Sequence, residues 1–106
     1  MKPLPSSLRE KKRYIAFRVM GQGISLQKAK NAIMGRLLRF IGEIGMAKAG
    51  IMFLKDWKDN KGIMKVAASE ADKVKASLAL VKEITVKSVG VSGTLEKARL
   101  KYLNGE

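Results

Sequence analysis

The sequence predicts an α+β fold, one antiparallel sheet of four strands met in the order β-α-β-β-α-β, with an extra helix at the C-terminus. Three observations predict it. Ile15, Phe17 and Val19 alternate with Tyr14, Ala16 and Arg18, the pattern of an extended strand with one buried face. Two later stretches repeat apolar residues at three- and four-residue spacing, the period of a helix face. Between them lie two short apolar runs joined by a polar link containing Asp and Asn, which suits a hairpin.

Taken in order, Pro3, Pro5, Ser6 and Ser7 mark residues 1–7 as a lead-in, and residues 8–106 read as one domain. A chain of 106 residues can bury roughly two-thirds of its unfolded surface around one core. The first strand opens on Arg9, Lys11, Lys12 and Arg13, with only Glu10 against them, and closes at Gly21-Gln22-Gly23. That glycine pair falls far short of a phosphate-binding loop and reads as a turn. Ser25 is placed to cap the next helix, whose buried stripe is Leu26, Ala29, Ile33, Leu37, Ile41 and Ile44. Gly42, Gly45 and Gly50 predict that this helix ends near Phe40 and is followed by a short, loosely helical piece.

Ile51–Trp57 and Gly62–Ala67 are the two strands of the hairpin. Asp56 and Asp59 have no further carboxylates close by, so they read as turn-forming and solvated residues rather than a metal pair. Ser69 and Asp72 resemble a capping box for a helix reaching Ile84, with Ala71, Val74, Leu78 and Val81 on its buried face. In the last strand, Thr85–Val91, Val86 is out of phase with Val89 and Val91, which predicts a bulge. Thr94 then caps a final basic helix, Leu95–Leu103. This is the split-βαβ, ferredoxin-like order shared with RRM-like modules. It places the first strand inside the sheet and the helices on one face, leaving the other face free.

The charge is out of proportion to the size. Twenty-two Lys and Arg face nine Asp and Glu, a net +13 with a pI near 10.3. Residues 1–49 hold +9 of it. Such an excess imposes self-repulsion on the compact state and fits a polyanionic partner, nucleic acid first and an anionic membrane surface second. With no Cys and no His, thiolate zinc sites, disulfides, an imidazole base and Ser-His triads are all excluded. No apolar run has the length of a membrane span, and residues 1–7 lack the apolar core of a signal peptide, so a cytoplasmic protein is expected.

Base stacking on the sheet would need aromatics on its two inner strands, yet Gly62–Ala67 has none beside Tyr14. Phosphate and shape contacts fit better. The leading candidates for contact with nucleic-acid phosphates are Arg9, Lys11, Lys12 and Arg13, with Arg18 on the face of Tyr14. Lys97, Arg99 and Lys101 follow, and then Arg36 and Arg39. A protein-interaction or ligand-sensing module on the same scaffold, its charge incidental, stays open, because this topology hosts many functions.

Leu8-Arg9-Glu10-Lys11-Lys12-Arg13-Tyr14-Ile15 resembles the N-terminal signature of the archaeal ribonuclease P protein component 2 family. So do the glycine-marked Phe40–Gly45, Lys61-Gly62-Ile63, Leu78-Ala79-Leu80-Val81, and Gly90-Val91-Ser92-Gly93-Thr94 ahead of a basic helix. The resemblance runs from about Leu8 to Leu103. It implies a non-catalytic subunit of the ribonucleoprotein that removes 5′ leaders from precursor tRNA. The catalytic RNA would carry the active site and its metal ions, and the protein would hold no cofactor of its own. The implied partners are ribonuclease P RNA, ribonuclease P protein component 3 and, through the complex, precursor tRNA. Self-association stays open, and no membrane contact is implied.

Overall fold

The computed structural model describes residues 11–81 and 84–103. The expected lead-in over residues 1–7 lies outside them. Four strands, β1 (Lys12–Met20), β2 (Met52–Lys58), β3 (Lys61–Ala67) and β4 (Thr85–Ser92), form one antiparallel sheet in the order β2-β3-β1-β4. That is the predicted topology, with β1 and β3 in the interior.

Alternation in β1 decides what lies on each face. Ile15, Phe17 and Val19 are buried beneath α1 (Leu26–Ala49) and α2 (Ala71–Leu78), together with Met64, Val66 and Val86 from neighbouring strands. Burying side chains of this size stabilises by about 1.5–3 kcal/mol each. Phe17 is the centre of the layer. Its ring meets Phe53 edge-on at 5.8 Å and Trp57 at 6.2 Å, so both β2 aromatics are core residues.

The helix signals resolve in detail. Ser25 caps α1 by accepting from the Lys28 N–H at 3.2 Å, and Gly50 ends it with φ 54°. Gly42, at φ 73° and ψ 176°, breaks the helix into two segments, close to the expected end at Phe40. The break changes the helical phase. Ala29, Ile33 and Leu37 are buried as expected, but beyond Gly42 the core receives Met46 and Ala49, and Ile44 is 75% exposed. Ile44 therefore leaves the predicted buried stripe.

The second helix is shorter than expected. A 3₁₀ turn (Ala68–Glu70) precedes it, Glu70 rather than Ser69 occupies its N-cap, and no side chain caps it. Past Leu78 the N–H groups of Ala79, Leu80 and Val81 bond three residues back, tightening the exit. The buried face of Ala71, Val74, Leu78 and Val81 is as predicted.

The hairpin turn is two residues, Asp59 and Asn60, both at positive φ (51° and 61°), the primed geometry that matches strand twist. Asn60 donates to the Gly21 carbonyl at 2.6 Å and accepts from the Val19 N–H at 2.8 Å, tying the hairpin to the end of β1. The predicted bulge in β4 is present. Ala16 pairs with Gly90 and Phe17 with Ser88, which leaves Val89 without a partner and 43% exposed.

The second sheet face is not free. The C-terminal helix α3 (Leu95–Ala98), capped by Thr94 and widening into a π-helical turn (Arg99–Leu103), lies across its middle. Ala98 and Ile63 are fully buried there, with Tyr14, Leu54, Leu95 and Tyr102 around them. Gly90 makes room for Tyr102, because a Cβ at that position would overlap the tyrosine ring. β3 is thus covered on both sides, which explains its nearly unbroken apolar run.

Candidate nucleic-acid interface

Cross-strand register builds a surface that composition alone does not show. Lys58 of β2 pairs with Lys61 of β3, Lys61 pairs with Arg18 of β1, and Arg18 pairs with Lys87 of β4. Directly paired residues point to the same side, here the face that carries α3. Four cations therefore stand in one row at the hairpin end of the sheet. Lys61 is half-buried and the other three are exposed. None of the four forms an ion pair among the described residues. Asp56, the neighbouring carboxylate on that face, is already engaged. Arg99 Nε and Nη2 donate to its two oxygens at 2.8 and 3.1 Å.

This fork places Arg99 differently from the expected phosphate contact. Its guanidinium pins the C-terminal helix to β2, and the hydrogen bond to Asp56 raises its pKa above the ordinary value. Asp56 likewise has a partner where turn formation and solvation were expected.

A second basic group gathers at the other end of the sheet. Arg13, half-buried, donates to the Lys12 carbonyl at 3.1 Å, and its Nη1 lies 4.0 Å from the place a Cβ on Gly93 would take. The entrance of β1 and the start of α3 are therefore neighbours. Lys97 and Lys101, one helical turn apart, border a shallow groove with Val91, Ser92, Leu100 and Tyr102. Lys11 is exposed, and its carbonyl accepts from the Ala68 N–H at 2.8 Å. Lys12 reaches toward Gly50 at the C-terminus of α1, its Nζ 3.9 Å from the Cβ position there. Arg9 lies outside the described residues. Arg36, half-buried, and Arg39, exposed, sit on α1 across the sheet and join neither group.

Sequence reasoning missed Lys58, Lys61 and Lys87. The signal was present in principle, because a two-residue Asp-Asn turn fixes the Lys58–Lys61 pair. The pairings to Arg18 and Lys87 depend on long-range register and on the bulge.

No helix among the described residues is long and apolar enough to cross a membrane, and no cluster of metal-binding side chains occurs among them. Fold and surface together define a small, strongly basic ferredoxin-like module. Comparison with known proteins gives the particular family. The chain belongs to the Rpp14/Pop5 family, whose model matches residues 13–103. Proteins named Ribonuclease P protein component 2 from Pyrococcus furiosus and Methanocaldococcus jannaschii are each 38% identical to it, across 97% of this chain and 92% and 81% of theirs. The protein of that name from Thermococcus gammatolerans is 37% identical over 96% of this chain and 91% of its own.

Proposed function

We propose that this chain is an RNA-binding protein subunit of ribonuclease P, supporting the catalytic RNA that removes 5′ leaders from precursor tRNA. The observation that carries the reading is the near-full-length similarity to proteins named Ribonuclease P protein component 2. The cation row on the α3 face and the basic group at the other end of the sheet support it, because both offer charge that a folded RNA's phosphates would neutralise. In this reading the protein is not the catalyst. It screens phosphate repulsion so that the RNA can hold its metal ions and substrate in place, in the cytoplasm.

Ribonuclease P protein component 3 is the proposed protein partner. Leu38, Phe40 and Ile44 expose 47, 53 and 75% of their surface around the break in α1, and such apolar exposure suits a protein contact. Precursor tRNA would be met through the assembled complex. The test is reconstitution of precursor-tRNA cleavage with ribonuclease P RNA, adding this chain and component 3 singly and together. Cleavage at moderate magnesium is expected to rise most when both are present. Absence of any stimulation overturns the reading.

A further inference from the structure

We propose that the row Lys58–Lys61–Arg18–Lys87 is a phosphate rail that seats the backbone of double-helical RNA. The proposal rests on the RNA-binding reading above and assigns it a surface and a class of RNA structure.

Three features carry it. First, the row consists of three successive directly opposed like-charge pairs, an arrangement that disfavours the sheet unless an anion neutralises it. Adjacent strands lie about 4.8 Å apart, so the row is a straight cationic edge of roughly 14 Å crossing all four strands. Second, the acidic residue best placed to quench it, Asp56, is held by Arg99. Asp59, in the turn beside the row, forms no ion pair with it. Third, no exposed aromatic ring stands in the row among the described residues. Tyr14 and Tyr102 are partly buried in the cluster under α3, where Tyr102 lines the groove beside Lys97 and Lys101, while Phe53 and Trp57 pack into the opposite core. Single strands are held largely by bases stacking on exposed aromatics, whereas duplex RNA is met through shape and backbone. A cationic edge with no exposed ring in it matches the duplex.

The test measures affinity against salt for a short blunt RNA duplex and for one of its strands alone. The intact protein is compared with a row variant, Lys58→Gln, Arg18→Gln, Lys61→Gln and Lys87→Gln. A control variant of equal charge loss, Lys28→Gln, Lys30→Gln, Lys48→Gln and Lys75→Gln, removes exposed lysines from the helical side. Each phosphate contact contributes about 0.7–0.9 to the slope of log affinity against log salt, so the row variant is expected to lose about 3 units on the duplex. The control is expected to lose less than one. The row variant should melt at the same or a higher temperature than the intact protein, which separates lost contacts from lost folding. Equal losses in row and control variants overturn the rail while leaving RNA binding intact. A loss confined to the single strand overturns the duplex assignment. If the intact protein shows no salt-dependent affinity for either RNA, the rail and the reading beneath it fall together.

Discussion

Arg99 donates two hydrogen bonds to Asp56, so its charge is already met inside the protein, whereas Lys97 and Lys101 on the same helix face the groove beside β4 and have no carboxylate partner among the described residues. The three residues are alike in sequence and differ in what they can offer an anion. Lys97→Gln and Lys101→Gln are each expected to lower the salt slope of RNA affinity by a little under one unit, and Arg99→Gln by clearly less. Asp56→Asn should move affinity the other way, because it releases a guanidinium on the same face. Titrations at four or five salt concentrations read all of these. A drop for Arg99→Gln as large as that for Lys97→Gln would mean that the fork opens to meet phosphate.

At the level of elements, the C-terminal helix depends on a glycine in a strand. Gly90 sits opposite Ala16 beneath Tyr102, and any Cβ there collides with the ring. Gly90→Ala is expected to cost about 1–3 kcal/mol as an overpacking change. The loss cannot exceed the free energy of docking α3, since the helix can lift off while the Phe17 core stays closed. Hydrogen exchange checks this directly. Amides of Ala98 and of the turn that follows should lose protection, while those of β1 and β3 keep theirs. Uniform loss across the sheet would show that α3 is integral to the core.

The same element explains what could be read in advance. Alternation in β1, the caps at Ser25 and Thr94, the Asp-Asn turn and the β4 bulge are local signals, and each element formed where those signals lie. The place of α3 was not local. Nothing within Leu95–Leu103 says that Ala98 meets Ile63, so the covered face and the Arg99–Asp56 fork were out of reach. Ile44 departs from the helical stripe for a related reason: a strict helical period cannot absorb the change of phase at Gly42. The cation row combined both difficulties, needing the hairpin, the β1–β3 register and the bulge at once.

For the molecule as a whole, the decisive quantity is a net charge of +13 on a chain whose Cα radius of gyration is 13.9 Å. Charges separated by such distances repel with little screening at low ionic strength, where the Debye length reaches about 30 Å at 0.01 M. The few internal ion pairs, Lys73–Glu70 and Arg99–Asp56 among the described residues, do little to relieve this. Compaction concentrates the repulsion, and unfolding relaxes it. Added potassium chloride should therefore stabilise the fold even as it weakens RNA binding. A gain of about 1 kcal/mol would raise the melting temperature by ~4–8 °C for a domain of this size. Duplex RNA at low salt should stabilise it further, by about 2.7 kcal/mol at a hundredfold excess over Kd. Thermal melts in a potassium chloride series, with and without RNA, check both effects. The two curves should converge as salt rises, one climbing through screening and the other falling through release of the ligand. If the protein alone melts lower as salt is added, self-repulsion is not what limits its stability, and the row at the hairpin end would then be a tolerated feature of the sheet with no need of an anion.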